Sequence, residues 1–418
     1  MSIVFLNFFI LFLYEAIIIK KHMGVFVMDK IFLDEAESIK DRIREARRRI
    51  HSIAETGGEL PETMRYIAER LSEIGVEYEA VGGGIVGRIG KEEGGTVLLR
   101  ADADALPIQE ATGLDFSASN GNMHACGHDM HAAMLLGAAQ LLKAHESELL
   151  GSVMLVFQPG EEELCGAKEM IEAGLFSKTT PSAALMIHVV TSRDLPLCSV
   201  VVPKSGIVAP MVSYFKITSY GTGAHGAMPA NGKDPITLIS RIILGLEELP
   251  AREFSGGQVT LTVGKVYGGS APNAIAECAI AEGTLRSYDE DIHREARDRI
   301  IEISVGLSDA FLSKSDIEFL NFAPALSVDA GVSSAISEIA ATLLGGDKVK
   351  SPEAFVGAGS EDFAYIAEKI PSAMIALSAG ENEYTLHHPK VRFDEQVLPV
   401  GAAIYAYSAL RLLADDVV

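Results

Sequence analysis

Apolar and polar positions sort this chain into two regimes. From about Ile31, DEAESIKDRIREARRRIHSIAE and ETMRYIAERLSEIG carry apolar residues at helical spacing, the second stopping at Gly75. VGGGIVGRIG and TVLLRADAD read as strands. DMHAAMLLGAAQLLKAHE is a helix that is apolar nearly all round, as a buried helix is. SVMLVFQP is a strand with an unbroken apolar run, followed by a short helix near AKEMIEAG and a strand, AALMIHVV. Strand–helix alternation with wholly apolar strands predicts an α/β fold whose sheet is mostly parallel and covered on both faces.

Near Val208 the pattern changes. VSYFKITSYG alternates like a half-exposed strand, and DPITLISRIILGLEEL is a helix. QVTLTVGKVYG and AIAECAIAEGTLRSY are strands, EDIHREARDRIIEISVGLSDAF a helix and SDIEFLNFA a strand. The order βαββαβ predicts a compact, ferredoxin-like four-stranded sheet with two helices on one face. The first pattern resumes at Pro324. The expected organisation is one domain from residues 28–207 and 324–418, interrupted by an inserted domain at 208–323.

A length of 418 residues suits two domains, and 48% hydrophobic residues suffice for sizeable cores. The net charge of −22 argues against nucleic acid as a partner, since binding phosphates needs basic surface. Four scattered cysteines, Cys126, Cys165, Cys198 and Cys278, make no disulfide framework and suit a reducing cytoplasm. Residues 3–19, IVFLNFFILFLYEAIII, are almost wholly apolar but carry Asn7 and Glu15. They read as a weak membrane anchor, a docking helix, or a leader from an early start codon with Met23 and Met28 as alternatives. The leader reading, covering 1–27, is preferred, so no membrane association is expected unless 3–19 anchors the chain.

The chemistry concentrates in HACGHDMH, residues 124–131. Asp129 is a suitable helix N-cap, which leaves Cys126 and His128 in the preceding loop, two residues apart and on one side. Thiolate and imidazole suit Zn²⁺ and related ions. TVLLRADAD ends in Asp102 and Asp104, SVMLVFQPGEEE ends in Glu161, Glu162 and Glu163, and AALMIHVV carries His188 near its end. In α/β sheets sites gather at the carboxyl ends of strands, so these groups are expected on one rim. His387 and His388 lie far along in a loop. Gly82, Gly84 and Gly87 match G-x-G-x-x-G, but a strand follows rather than a helix, so a turn is expected there.

RADADALPI, HACGHDMHAAMLLGAAQLL, FQPGEE, GAHGAMP, APNAIAECAIAEGTLR, GSEDFA and LHHP, in this order, resemble the metal-dependent amidohydrolases. These are the family of hippurate hydrolases, N-acyl-amino-acid amidohydrolases and auxin-conjugate hydrolases, related to aminoacylase and the di-zinc carboxypeptidases. The resemblance covers about residues 35–415. It departs at Ala103, where the family usually has Met, and at Glu163, Leu164 and Cys165, where it has a glycine-rich run. It implies a di-metal exopeptidase-like catalytic domain with an inserted lid and dimerisation domain. It implies two divalent ions, Zn or Mn with Co as a further option. By the same resemblance Cys126 would bridge them, His128 and His188 would complete one ion, and Glu162 and His387 the other. Glu161 would be the general base, Asp104 would stand behind the ligands, and His225, Asn273 and Arg286 of the inserted domain would reach the substrate, His225 near the developing oxyanion. The implied reaction is amide hydrolysis of N-acyl amino acids or short peptides with a free carboxylate, in a homodimer or homotetramer. A narrow biosynthetic N-acetyl-diamino-acid deacetylase and a non-catalytic metal- or peptide-binding relative are the other readings.

Overall fold

The computed structural model describes residues 31–254, 256–352 and 359–414; the apolar stretch at 3–19 lies outside them. In chain order the strands are β1 (Glu77–Val81), β2 (Gly84–Gly90), β3 (Thr96–Asp102), β4 (Ser152–Gln158), β5 (Ala183–Val190), β6 (Val200–Val201), β7 (Gly206–Ala209) and β8 (Met211–Tyr220). There follow β9 (Ala224–His225), β10 (Val259–Gly268), β11 (Ala274–Ile275), β12 (Cys278–Ser287), β13 (Lys314–Ala323), β14 (Leu326–Val328), β15 (Val349–Lys350) and β16 (Ser372–Ser378). The helices used below are α1 (Lys40–Ile53), α2 (Pro61–Ile74), α3 (His128–Ala144), α4 (Gly166–Glu172), α5 (Pro235–Glu253), α6 (Glu290–Ala310), α7 (Ala330–Leu344), α8 (Ala364–Ala367) and α9 (Val397–Ala414).

The apolar strands form one eight-stranded sheet, ordered β1-β2-β4-β3-β5-β16-β6-β15. Its centre, β4-β3-β5-β16, is parallel, and antiparallel pairs flank it. Successive side chains of a strand face opposite sides. Val97, Leu99 and Ala101 of β3 therefore enter the core made with α1, α2, α3, α7 and α9. Leu98 enters the smaller core made with α4 and α8 on the other face. Burial on both faces is why these strands read as continuous apolar runs. Among the described residues α9 alone is long and apolar enough to cross a membrane, yet 78% of it is buried inside the fold, as a core helix is.

The second sheet is antiparallel and ordered β10-β12-β8-β13. Phe215, Ile217 and Leu285 pack from it against Ile239 and Ile242 of α5 and Ile300 of α6. Asp234 and Asp289 cap these helices through side-chain oxygens, each accepting from a first-turn N–H.

Three local expectations differ. The first amphipathic segment is not one helix: it is helical over 31–38, turns at Ile39 and continues as α1. AIAECAIAEGTLRSY divides into β11, which pairs with β9, and β12. Asp129 is not an N-cap. The N-cap of α3 is Gly127, two residues earlier with φ 93°, so His128 opens the helix instead of lying in the loop, and the Asp129 carboxylate accepts from Arg47 Nε at 2.6 Å and meets His51 Nδ1 at 2.8 Å. The glycine-rich decoy is the β1–β2 hairpin turn, and a Cβ on Gly82 would stand 2.7 Å from Met170 Cα.

Candidate metal centre

Three strand ends and two loops bring the chemistry to one rim. The left-handed Gly127 between Cys126 and His128 bends the loop onto β5, where a Cβ would lie 2.4 Å from Val189 Cγ2. Cys126 Sγ then stands 3.6 Å from His188 Nε2. His188 donates its Nδ1 proton to Val189 O at 2.7 Å, which leaves Nε2 as a lone-pair donor. His128 Nδ1 faces Asp104 Oδ1 at 3.2 Å, which aims Nε2 at the rim. The other Asp104 oxygen accepts the Glu162 backbone N–H at 3.0 Å, so one carboxylate orients both His128 and the glutamate turn.

The far loop closes the group. The His387 backbone N–H donates to Ala125 O at 2.9 Å, and its Nε2 lies 3.5 Å from Glu162 Oε1. Two triads result, Cys126–His128–His188 and Cys126–Glu162–His387. In each, one ligand-type atom per residue lies within 4.8 Å of the others. Cys126 belongs to both.

Glu161 and Glu162 lie past the end of β4, which stops at Gln158. The chain after β4 forms a turn closed by Leu164 N–H to Glu161 O at 2.7 Å, and both carboxylates come 3.9 Å from His128 Nε2. Their other neighbours separate them: Glu162 joins Cys126 and His387, while Glu161 joins the buried acids Glu361 and Asp362.

Burial, then repulsion from Glu361 and Glu162, pushes Glu161 well above the usual carboxylate range. Burial raises Glu162 to about 7 against the pull of His128. Burial pushes the Cys126 thiol up. Burial opposes charging of His128, but Asp102 and Cys126 outweigh it and hold His128 well above its ordinary value. His128 Nε2 and Glu162 Oε1 are buried and lack a hydrogen-bond partner among the described residues. A buried thiol, imidazoles and carboxylates facing one gap, two of their atoms orphaned, are the donor set that a divalent cation satisfies.

The sequence did not disclose what lies beneath. Arg100 is 1% exposed and binds Asp102 Oδ2 and Asp362 Oδ1 at 2.8 Å each, Glu361 Oε1 at 3.0 Å and Gln158 Oε1 at 2.9 Å. An arginine inside the apolar strand TVLLRADAD was the available signal, because a buried guanidinium requires acidic partners. His131, lowered to about 4 by burial, lies between Asp102 and β5. His124 is buried with neither ring nitrogen hydrogen-bonded among the described residues, its ring 5.9 Å from that of His51.

The inserted-domain candidates stand apart. His225 and Asn273 meet on the β9–β11 ribbon, where Gly226 N–H donates to Asn273 O at 2.8 Å, and both side chains are exposed. Among the described residues no hydrogen bond or ion pair joins either to the Cys126 cluster. Ala227 N–H donates to His225 Nδ1 at 3.1 Å, so the ring presents Nε2–H outward. Arg286 is half-buried and donates from Nη1 to Ser360 Oγ at 2.7 Å, beside Glu361.

A family model described as peptidase family M20/M25/M40 matches residues 98–411. The chain belongs to this family. It is a metal-dependent hydrolase of the amidohydrolase and peptidase type. It is 34% identical over 375 residues to an N-acetyl-L-cysteine deacetylase of Bacillus subtilis, covering 88% of each chain. It is 34% identical over 382 residues to the IAA-amino acid hydrolase ILR1-like 4 of Arabidopsis thaliana, covering 88% of this chain and 85% of that one. Among solved structures, the Bacillus subtilis YXEP protein, a dinuclear metal-binding peptidase of family M20, superposes with a TM-score of 0.73. It is 30% identical, over 90% of this chain and 99% of that one.

Proposed function

We propose that this family member hydrolyses the amide bond of N-acyl amino acids or short peptides that carry a free carboxylate. The observation that carries the reading is the sharing of Cys126 between two ligand triads. Cys126, His128 and His188 would hold one divalent ion, and Cys126, Glu162 and His387 the other, with Asp104 orienting His128. The mixed thiolate, imidazole and carboxylate set suits Zn²⁺, and its imidazoles and carboxylate also accept Mn²⁺ or Co²⁺. When bound, such a pair supplies water activation and carbonyl polarisation.

The protein's own groups supply the rest. Glu161, among Glu361, Asp362 and Glu162, has a raised proton affinity, so it takes a proton from the attacking water and returns it to the leaving nitrogen. The outward Nε2–H of His225 is a donor suited to a developing oxyanion. The Arg286 guanidinium receives the substrate carboxylate. Two relatives support the substrate class, since both named activities cut an amino acid from a conjugate. His225 is exposed on its own ribbon, which fits a homodimer in which the inserted domain completes a site. The acidic surface and unpaired cysteines fit a cytoplasmic enzyme.

The test is a panel of N-acyl amino acids, dipeptides and their carboxamide-capped forms. It is run on metal-free protein reloaded separately with Zn²⁺, Mn²⁺ and Co²⁺. Metal-dependent turnover of the free-carboxylate members is expected. Metal binding without turnover of any member would make the protein a binding relative instead.

A further inference from the structure

His131 is the third histidine of HACGHDMH, and its imidazole is fully engaged. Its Nε2 accepts the Val189 N–H at 2.8 Å, so the ring proton sits on Nδ1 and is donated to Asp102 Oδ1 at 2.5 Å. The second Asp102 oxygen is held by Arg100 Nη1 at 2.8 Å. Asp102, His128 and His131 are close enough to suggest a cation site of their own. That possibility fails on the bonding, because neither His131 nitrogen is free and both Asp102 oxygens are occupied.

The contacts run on to the ligands of one triad: the His131 ring lies 5.4 Å from that of His128, and its hydrogen bonds lead to His188. Val189, whose N–H His131 accepts, offers its carbonyl to His188 Nδ1 at 2.7 Å. The His131 ring also packs edge-on against the His188 ring, with centroids 4.7 Å apart. Arg100, Asp102, His131 and the Val189 peptide thus form a continuous chain ending on His188. Of the other triad's unshared ligands, Glu162 takes its backbone contact from Asp104, and His387 takes its own from Ala125.

We propose that His131, fixed by Asp102 as the Nδ1–H tautomer, is a positioning residue that sets the orientation of His188. It thereby governs the affinity of the ion position at Cys126, His128 and His188, and not of the position at Cys126, Glu162 and His387. This rests on the two-ion reading above. Outer partners of metal-binding histidines typically change metal affinity about 10–100-fold.

Calorimetric titration of metal-free protein with Zn²⁺ reads both ions. Wild type is expected to bind two per chain. His131→Phe keeps a ring but loses both hydrogen bonds, and is expected to weaken one ion about 10–100-fold and leave the other at its wild-type affinity. His131→Gln, which offers an acceptor and a donor, should recover much of the loss. Asp102→Asn, which leaves the imidazole in place and disturbs its tautomer, should weaken the same ion. It carries the test if circular dichroism shows that His131→Phe does not fold. In a His188→Ala background, adding His131→Phe should change nothing further. Equal weakening of both ions, no weakening of either, or full additivity with His188→Ala would overturn the proposal. A wild type that binds no ions would overturn the two-ion reading itself.

Discussion

Glu161 and Glu361 place carboxylate oxygens within 4.8 Å of each other in a buried space that also holds Asp362. Arg100 reaches Glu361 and Asp362 directly, while Glu161 retains a raised proton affinity. What separates Glu161 from the adjacent Glu162 is its company: Glu162 meets Cys126 and His387, whereas Glu161 meets Glu361 and Asp362. Glu161→Gln should keep both ions and lose about 10²–10⁴ in kcat. Glu162→Gln should lose an ion and recover partly at high metal. Metal analysis of the two purified variants decides the assignment, and a metal-depleted Glu161→Gln would exchange the roles.

The same raised proton affinity predicts a stability effect. A carboxyl whose folded pKa lies above its unfolded value of about 4.3 destabilises the fold once pH rises past that value. Metal-free Glu161→Gln should therefore melt higher than metal-free wild type at pH 8, and the gain should vanish at pH 4. A gain that is the same at both values would count against a raised pKa.

A second pH effect belongs to the network that displaced Asp129 from its expected capping role. Burial opposes charging of His51, but Asp129 and Glu110 outweigh it and raise its pKa. Its contribution is complete below the unfolded value of about 6.5 and is lost as pH rises through the folded value. Glu110 is held at about 2, burial being overcome by His51 and Thr112, so its contribution is present above about 4.3 and is lost as pH falls through 2. His51→Gln should thus lower the melting temperature most between about pH 4.3 and 6.5. The deficit should shrink by pH 9, and a deficit that does not change with pH would contradict the pairing.

Arg100→Met removes the guanidinium that pairs with the buried acids Asp102, Glu361 and Asp362. Removing one partner of a buried ion pair costs about 3–5 kcal/mol. Thermal unfolding of metal-free Arg100→Met should show a large loss, and an unchanged melting temperature would mean that the acids are neutral without it.

His225→Ala should lower kcat by about 10²–10³ with metal content unchanged, since the ribbon supplies none of the proposed ligands. Mixing it with Glu161→Gln protein should restore activity if the histidine serves a partner's site. No recovery after confirmed subunit exchange would place it in its own subunit's site.

Much of the architecture was legible because burial on both faces writes itself as apolar runs. SVMLVFQ and AALMIHVV are strands over nearly the expected residues, and the carboxyl-end rule places Asp104, His188 and the glutamate turn on one rim. The turn conformation of QPGEEEL was not legible, because Leu164 occupies a left-handed backbone position, φ 58°, that favours glycine. Its side chain is buried against Val212 and Ala323, a long-range contact that no local pattern reports. Asp129 looked like a cap because capping is a local rule, while its actual partners lie 78 and 82 residues away. Glu361 and Asp362 were visible within GSEDFA, but only the fold shows that they meet Arg100.

On the function proposed above, one thiolate, that of Cys126, would serve two ions. Metal content of wild type, Cys126→Asp and Cys126→Ser, measured after identical reloading with Zn²⁺, tests it most directly. Wild type should hold two ions per chain, Cys126→Asp should retain a substantial share, and Cys126→Ser, with a neutral hydroxyl in the shared position, should lose both. Two ions per chain in Cys126→Ser would contradict a shared Cys126.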